Sequence, residues 1–255
     1  MSNIDDTRAP LMDHLIELRT RLLRSFIALA LAFVIGVYFA RPIFGFLMQP
    51  LLHAGQNKLY NMGLFEGFFS QMKVAFFFAS MIAFPVAATQ MWRFVAPGLY
   101  KHEKDAFLPF LLLSPFLFVL GAALAYFVAM PIALHFLLSF QGNNAGVTQE
   151  ALPGVGNYLN FVTTFLFGFG AAFQLPVLLL ILERAGIVTR AQLIGGRRYA
   201  VVASTAVAAL LTPPDIVSML LLAVPLVLLY EFALIIMWFT ARKRGAANDR
   251  QAQGD

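Results

Sequence analysis

The chain has 255 residues, of which 60% are hydrophobic and 12% charged, with a net charge of +5 and a mean hydropathy of +0.77. A soluble domain carries about 25% charged and about 45–50% apolar residues, so the composition excludes an ordinary soluble globular protein. With no cysteine, disulfides, thiolate metal sites and a cysteine nucleophile are excluded as well.

The apolar residues come in blocks of roughly 20, the length that crosses a ~30 Å hydrocarbon core. They do not alternate polar and apolar as barrel strands do, so the blocks read as helices. Near the start, HLIELRTRLLRS (His14 to Ser25) reads as an amphipathic helix entering the membrane, with Glu17 and Arg21 spaced i,i+4. A first span follows at residues 22–40. Residues 42–73 form a long, semi-apolar connection that predicts amphipathic pieces at the outer surface. After a second span at 74–91, PGLYKHEKD (Pro97 to Asp105) reads as a compact loop with Glu103 between lysines. The third span covers 107–134. Residues 135–157 contain no Lys or Arg and several Gly and Asn, and with the first outer connection they predict an outer cap. Within the fourth span, 158–182, Gly168 and Gly170 follow no strand, so close helix packing is their expected use rather than nucleotide binding.

The last apolar stretch is divided by Thr212-Pro213-Pro214-Asp215. Proline lacks an N–H and disfavours helical geometry in its predecessor, so the motif ends one span (199–211) and starts another (216–239), with Asp215 near the new helix's start, where its charge suits the dipole. Residues 199–211 make only about 20 Å of helix, which predicts a locally thinned bilayer or a shallow hairpin.

Charge sets the orientation. Arg8, Arg19, Arg21, Arg24, Arg93, Lys101, Lys104, Arg184, Arg190, Arg197, Arg198, Arg242, Lys243, Arg244 and Arg250 fall on one side of this six-span topology, and only Arg41, Lys58 and Lys73 on the other. By the positive-inside rule both termini face the cytoplasm. The rule also accounts for the net positive charge without a nucleic-acid partner. The expected organisation is one all-α, six-helix membrane domain over residues 1–244 and a disordered cytoplasmic tail over 245–255.

Chemistry is not visible in the spans. There is no pair of intramembrane carboxylates, no Ser–His pair and no matched broken helices of the transporter kind. His102-Glu103 begins like a metalloprotease motif, but Ala106 stands where the second ligand belongs. No catalytic residue, metal or cofactor is expected, which disfavours an intramembrane enzyme. Gln174 and Glu231 each lie about 12 Å from the cytoplasmic end of their spans. They face either a shared polar pocket opening to the cytoplasm or an interhelical hydrogen bond. Glu17 and Glu103 are either solvated surface groups or a site for a cationic partner, since arginine binds carboxylates bidentately.

HLIELRTRLLRS, QMWRFVAPGLYKHEKD, FGFGAAFQLPV and LLTPPDIVSMLLLAVPLVLLYE, spread from residue 14 to 231, together resemble the TatC family, the large multi-span subunit of the twin-arginine (Sec-independent) protein translocase. The resemblance implies a receptor of the bacterial cytoplasmic (inner) membrane that binds twin-arginine signal peptides of folded cargo and mediates export using the proton motive force, without enzymatic activity. It places the signal-peptide site on Glu17 and Glu103, supported by Arg19, Phe94, Pro97, Leu99 and Tyr100, and matches functional outer-side positions at Pro50 and Asp215. It also implies short fifth and sixth spans that dock TatB-like and TatA-like single-span partners, within a complex holding several copies amid membrane lipid. The family often carries Glu where this chain has Gln174, and Gln cannot ionise. The alternative is a small-solute secondary transporter, which would need matched repeats and charged sites at the midplane.

Overall fold

The computed structural model describes residues 5–95, 104–144, 147–149, 153–184, 186–212 and 214–252. In chain order the helices are α1 (Asp5–Tyr38), α2 (Ala40–His53), α3 (Glu66–Val95), α4 (Lys104–Leu124), a π-helical turn (Ala125–Ala129), α5 (Met130–Leu138), α6 (Val155–Ala172), α7 (Leu175–Arg184), α8 (Arg190–Gly195), α9 (Arg197–Leu211) and α10 (Ile216–Ala252). A small antiparallel hairpin, β1 (Gly142–Asn144) with β2 (Val147–Gln149), pairs Asn143 with Thr148 in the connection before α6. The expected helical class therefore holds, with this hairpin as the one addition among the described residues.

Stretches at 15–38, 66–91, 113–138, 155–184 and 216–239 are long and apolar enough to cross a membrane. With α9 they make the six apolar helices expected. Their outward faces carry large apolar side chains, among them Leu22, Phe26, Leu31 and Val34 on α1. Lipid rather than water is the medium such a surface suits.

Prolines explain where the helices break. Pro42 has no N–H for the Tyr38 carbonyl, and α1 gives way to α2 at Phe39. Pro176 likewise cannot bond the Ala172 carbonyl, and the predicted fourth span is two helices, α6 and α7. In the third span Pro131 follows the π-helical turn, where Met130 N–H reaches back five residues to the Ala125 carbonyl. Thr212 is extended and Asp215 Oδ1 accepts the Ser218 N–H at 2.7 Å, so Thr-Pro-Pro-Asp separates α9 from α10 as expected.

One expectation needs correction: α9 is short, 15 residues or about 22 Å, but the apolar part of α10 is 24 residues long, an ordinary span. The entry segment and the first span run as one helix, since no Pro or Gly interrupts residues 11–35. α10 continues as far as Ala252. By its internal contacts the chain divides into two compact units, residues 1–116 with 152–163, and residues 117–151 with 164–255.

In the first unit α1 and α2 pack on α3 around Ala32, Leu47, Leu51, Val74, Ala75 and Ala79. Gly36 lies so close to α3 that a Cβ there would stand 2.6 Å from the Ala75 carbonyl oxygen. In the second unit α7, α8 and α9 pack on α10, and Phe118, Met130, Phe165, Phe169, Leu222 and Met237 are fully buried. Gly170 packs against the Phe118 ring and Gly168 against Leu211, the close packing expected of these glycines.

Gly36→Ala should therefore destabilise by about 1–3 kcal/mol, whereas Gly45→Ala in α2, where a Cβ meets nothing within 4 Å, should be neutral or stabilising. Thermal melting of both variants in detergent checks this; equal melting temperatures would show that α1 and α3 are not in tight contact at Gly36.

Candidate functional site

The residues expected to bind a cationic peptide lie in the first unit. Glu17 and Arg21 stand one turn apart on α1, and Arg21 donates to Glu17 Oε1 through Nε at 3.0 Å and also through Nη2. Arg19 lies on another face of the helix and is exposed. Phe94 is half-buried in the last turn of α3. Pro97, Leu99, Tyr100 and Glu103 lie outside the described residues.

The packing register brings Glu17 and Phe94 to one level. Gly36 lies against Ala75, and the rings of Phe33 and Phe76 meet edge to face with centroids 6.4 Å apart. Moving back along α1 thus moves forward along α3. Glu17 is 19 residues before Gly36 and Phe94 is 19 after Ala75, each about 28 Å along its helix. Glu17 therefore sits at the end of the α1–α3 pair from which the chain continues into residues 96–103. Hydroxyls nearby bond their own helix, Thr20 to the Ile16 carbonyl at 2.9 Å and Ser25 to that of Arg21 at 3.1 Å, which leaves the charged groups as this surface's distinctive chemistry.

At the opposite end of the first unit Pro50 is buried within α2, and Tyr158 donates to the Leu47 carbonyl at 2.9 Å. Glu66, which sequence reading missed, binds this end together. Its carboxylate accepts the backbone N–H groups of Met62, of Gly63 at 3.2 Å and of Gly156 at 2.7 Å. Tyr60 is bridged to Gly154 alongside. The two connections expected to form a cap do meet here, at residues 60–66 and 153–156. An acidic residue in a helix's first turn was the available signal; its partner 90 residues on left none.

In the second unit Asp215 caps α10, with one oxygen on the Ser218 N–H. Gln174 and Glu231 do not share a polar pocket. Gln174 lines an almost wholly apolar groove with Tyr230, while Glu231 pairs with Arg197 at 2.8 Å. The reason is the arginine at the start of α9, which offers Glu231 a direct partner. Around this pair, Tyr230 donates to the Leu193 carbonyl at 2.7 Å and Arg190 Nε to that of Leu234 at 3.3 Å. Among the described residues no group of three His, Cys, Asp or Glu side chains is placed to hold a metal ion.

Residues 13–225 match the family model of TatC, the Sec-independent protein translocase protein. The chain is 43% identical to the Sec-independent protein translocase protein TatC of Magnetococcus marinus, over 99% of this chain and 94% of that protein. It is 37% identical to the TatC of Escherichia coli K12, over 94% and 92%. A solved crystal structure of the twin-arginine translocase receptor TatC superposes with a TM-score of 0.78 at 38% identity, covering 89% of this chain and 99% of that one.

Replacing Glu66 with Ala removes the acceptor of three backbone N–H groups and should lower the melting temperature, with Glu66→Gln intermediate because the amide oxygen still accepts. Equal melting of wild type and Glu66→Ala would show that this link contributes nothing to stability.

Proposed function

This chain belongs to the TatC family of Sec-independent protein translocase proteins, and we propose that it is the receptor subunit that recognises twin-arginine signal peptides on folded cargo. The observation that carries the reading is the placement of Glu17, on a rigid helix, level with Phe94 at the point where α3 runs into the segment holding Glu103. The receptor is a multi-pass protein of the bacterial inner membrane with both termini in the cytoplasm, as its Lys and Arg distribution supports. It performs no covalent chemistry. Export depends on the proton motive force and on TatB-like and TatA-like single-span partners, with several copies of the chain in the working complex.

Recognition follows from charge and geometry. Glu17 is already paired with Arg21, both of them half-buried, but an i,i+4 helix pair contributes only ~0.3–0.5 kcal/mol. An arriving guanidinium exchanges with Arg21 at small cost. Arginine is favoured over lysine because its planar fork meets a carboxylate bidentately. Two adjacent arginines need two carboxylates, and Glu17 and Glu103 are the pair proposed. Arg19 and the apolar group of Phe94, Pro97, Leu99 and Tyr100 flank them, and the signal's hydrophobic stretch supplies affinity that surface ion pairs lack.

Site-specific crosslinking of a twin-arginine signal peptide to membranes tests the proposal. Glu103→Ala should reduce crosslinking about ten- to a hundred-fold at normal protein levels, the loss of a hydrogen bond to a charged group worth ~1.5–3 kcal/mol. Replacing the signal's two arginines with lysines should weaken it as well. Unchanged crosslinking in Glu103→Ala and Glu17→Ala would remove the carboxylate mechanism. No crosslinking to wild type would favour the small-solute transporter.

A further inference from the structure

The contact of α1 with α3 in the first unit continues beyond Gly36 towards the end that holds Glu17. On α1 Glu17, Arg21, Ala28, Ala32 and Gly36 are buried or half-buried and fall within an arc of about 100° around the helix. On α3 Ala75, Ala79, Ala83, Gln90 and Phe94 do the same. From Gly36 on Ala75, equal steps along the two antiparallel helices set Ala32 opposite Ala79, Ala28 opposite Ala83, Arg21 opposite Gln90 and Glu17 opposite Phe94. Arg21 is 15 residues before Gly36 and Gln90 is 15 after Ala75, about 22 Å along each helix. Alanine facing alanine keeps the axes close, which brings Arg21 and Gln90 to one interhelical level.

These two groups are unequally satisfied. Arg21 donates through Nε and Nη2 to the same Glu17 oxygen, and a guanidinium carries further N–H donors. Gln90 has a buried side-chain oxygen, Oε1, that no donor reaches among the described residues. A buried acceptor without a donor is costly, and native structures keep few of them.

We propose that Gln90 is a positioning residue for recognition, an inference that rests on Glu17 being a signal-peptide contact: Gln90 Oε1 accepts the Arg21 guanidinium when an arginine of the signal displaces it from Glu17. An amide oxygen is a weaker acceptor for a guanidinium than a carboxylate, so at rest Arg21 stays on Glu17. Displacement reverses the order. With 18% of its side chain exposed, Arg21 has little access to water, and without a second acceptor it would be driven back onto Glu17. Gln90 supplies an acceptor that carries no charge, so it does not compete with Glu17 for the incoming arginine.

Titrating a photo-crosslinkable twin-arginine signal peptide against membranes carrying the full-length protein, at matched protein levels, tests this. Gln90→Leu should weaken crosslinking about three- to ten-fold, the effect of one hydrogen bond. Its melting temperature in detergent should be unchanged or raised, because Leu replaces an oxygen that has no donor. In an Arg21→Met background Gln90→Leu should add no further loss, since the group it receives is gone. Undiminished crosslinking in Gln90→Leu, with Glu17→Ala defective, would overturn the role of Gln90 and leave the receptor reading standing. An equal loss with and without Arg21 would put Gln90 in direct contact with the peptide and overturn the exchange. A melting temperature that falls in step with crosslinking would make Gln90 a packing residue, which also overturns it. If wild type does not crosslink, the receptor reading falls and the role of Gln90 with it.

Discussion

A backbone amide in hydrocarbon has no water to bond, and each group left unpaired there costs several kcal/mol. Every apolar stretch of this chain must therefore be helical, and every interruption needs a local reason. Where α1 meets α2 and α6 meets α7, the proline at the third or second position of the new helix lacks the N–H that would have continued the ladder. In the third span the same problem is absorbed by a π-helical turn, so the chain passes Pro131 without leaving helical form. Hydroxyls obey the same constraint: Ser80, Thr89, Thr163 and Thr205 each bond the carbonyl one turn back.

Once polar groups are satisfied within each helix, apolar burial gives little preference between lipid and protein neighbours, and close approach has to do that work. Glycine and alanine provide it. Gly36 meets the Ala75 backbone, and Gly121 lies against the Phe169 carbonyl and Phe173 ring. The same small residues that let helices touch leave a groove where the opposite helix stays away, as along α9.

Much of this was legible because it is local. Apolar runs, the Thr-Pro-Pro-Asp break and the glycines of the fourth span follow from period, proline chemistry and residue size. What escaped reading is non-local. Gly156 and Glu66 are 90 residues apart, Arg197 and Glu231 are 34 apart, and nothing in either stretch announces the other. Equal distance from the ends of their spans suggested a shared pocket for Gln174 and Glu231. It gave no sign that an arginine would claim Glu231.

The charged groups that remain sort by depth. Glu66 sits at the start of α3, Glu17 and Arg21 lie in the first two turns of the apolar stretch 15–38 of α1, and Arg197 stands at the start of α9. Ion pairs at such positions are individually weak, and that weakness suits a receptor. A carboxylate held strongly by its own chain would not release to an incoming arginine, and one buried at the midplane would be too costly to leave between visits. In the proposed role Glu17 avoids both conditions, because its partner is one turn away on the same helix and the pair is only half-buried. In the proposed mode specificity comes from geometry, from two guanidinium forks each meeting a carboxylate. The strength of any single pair is not what distinguishes a twin-arginine signal.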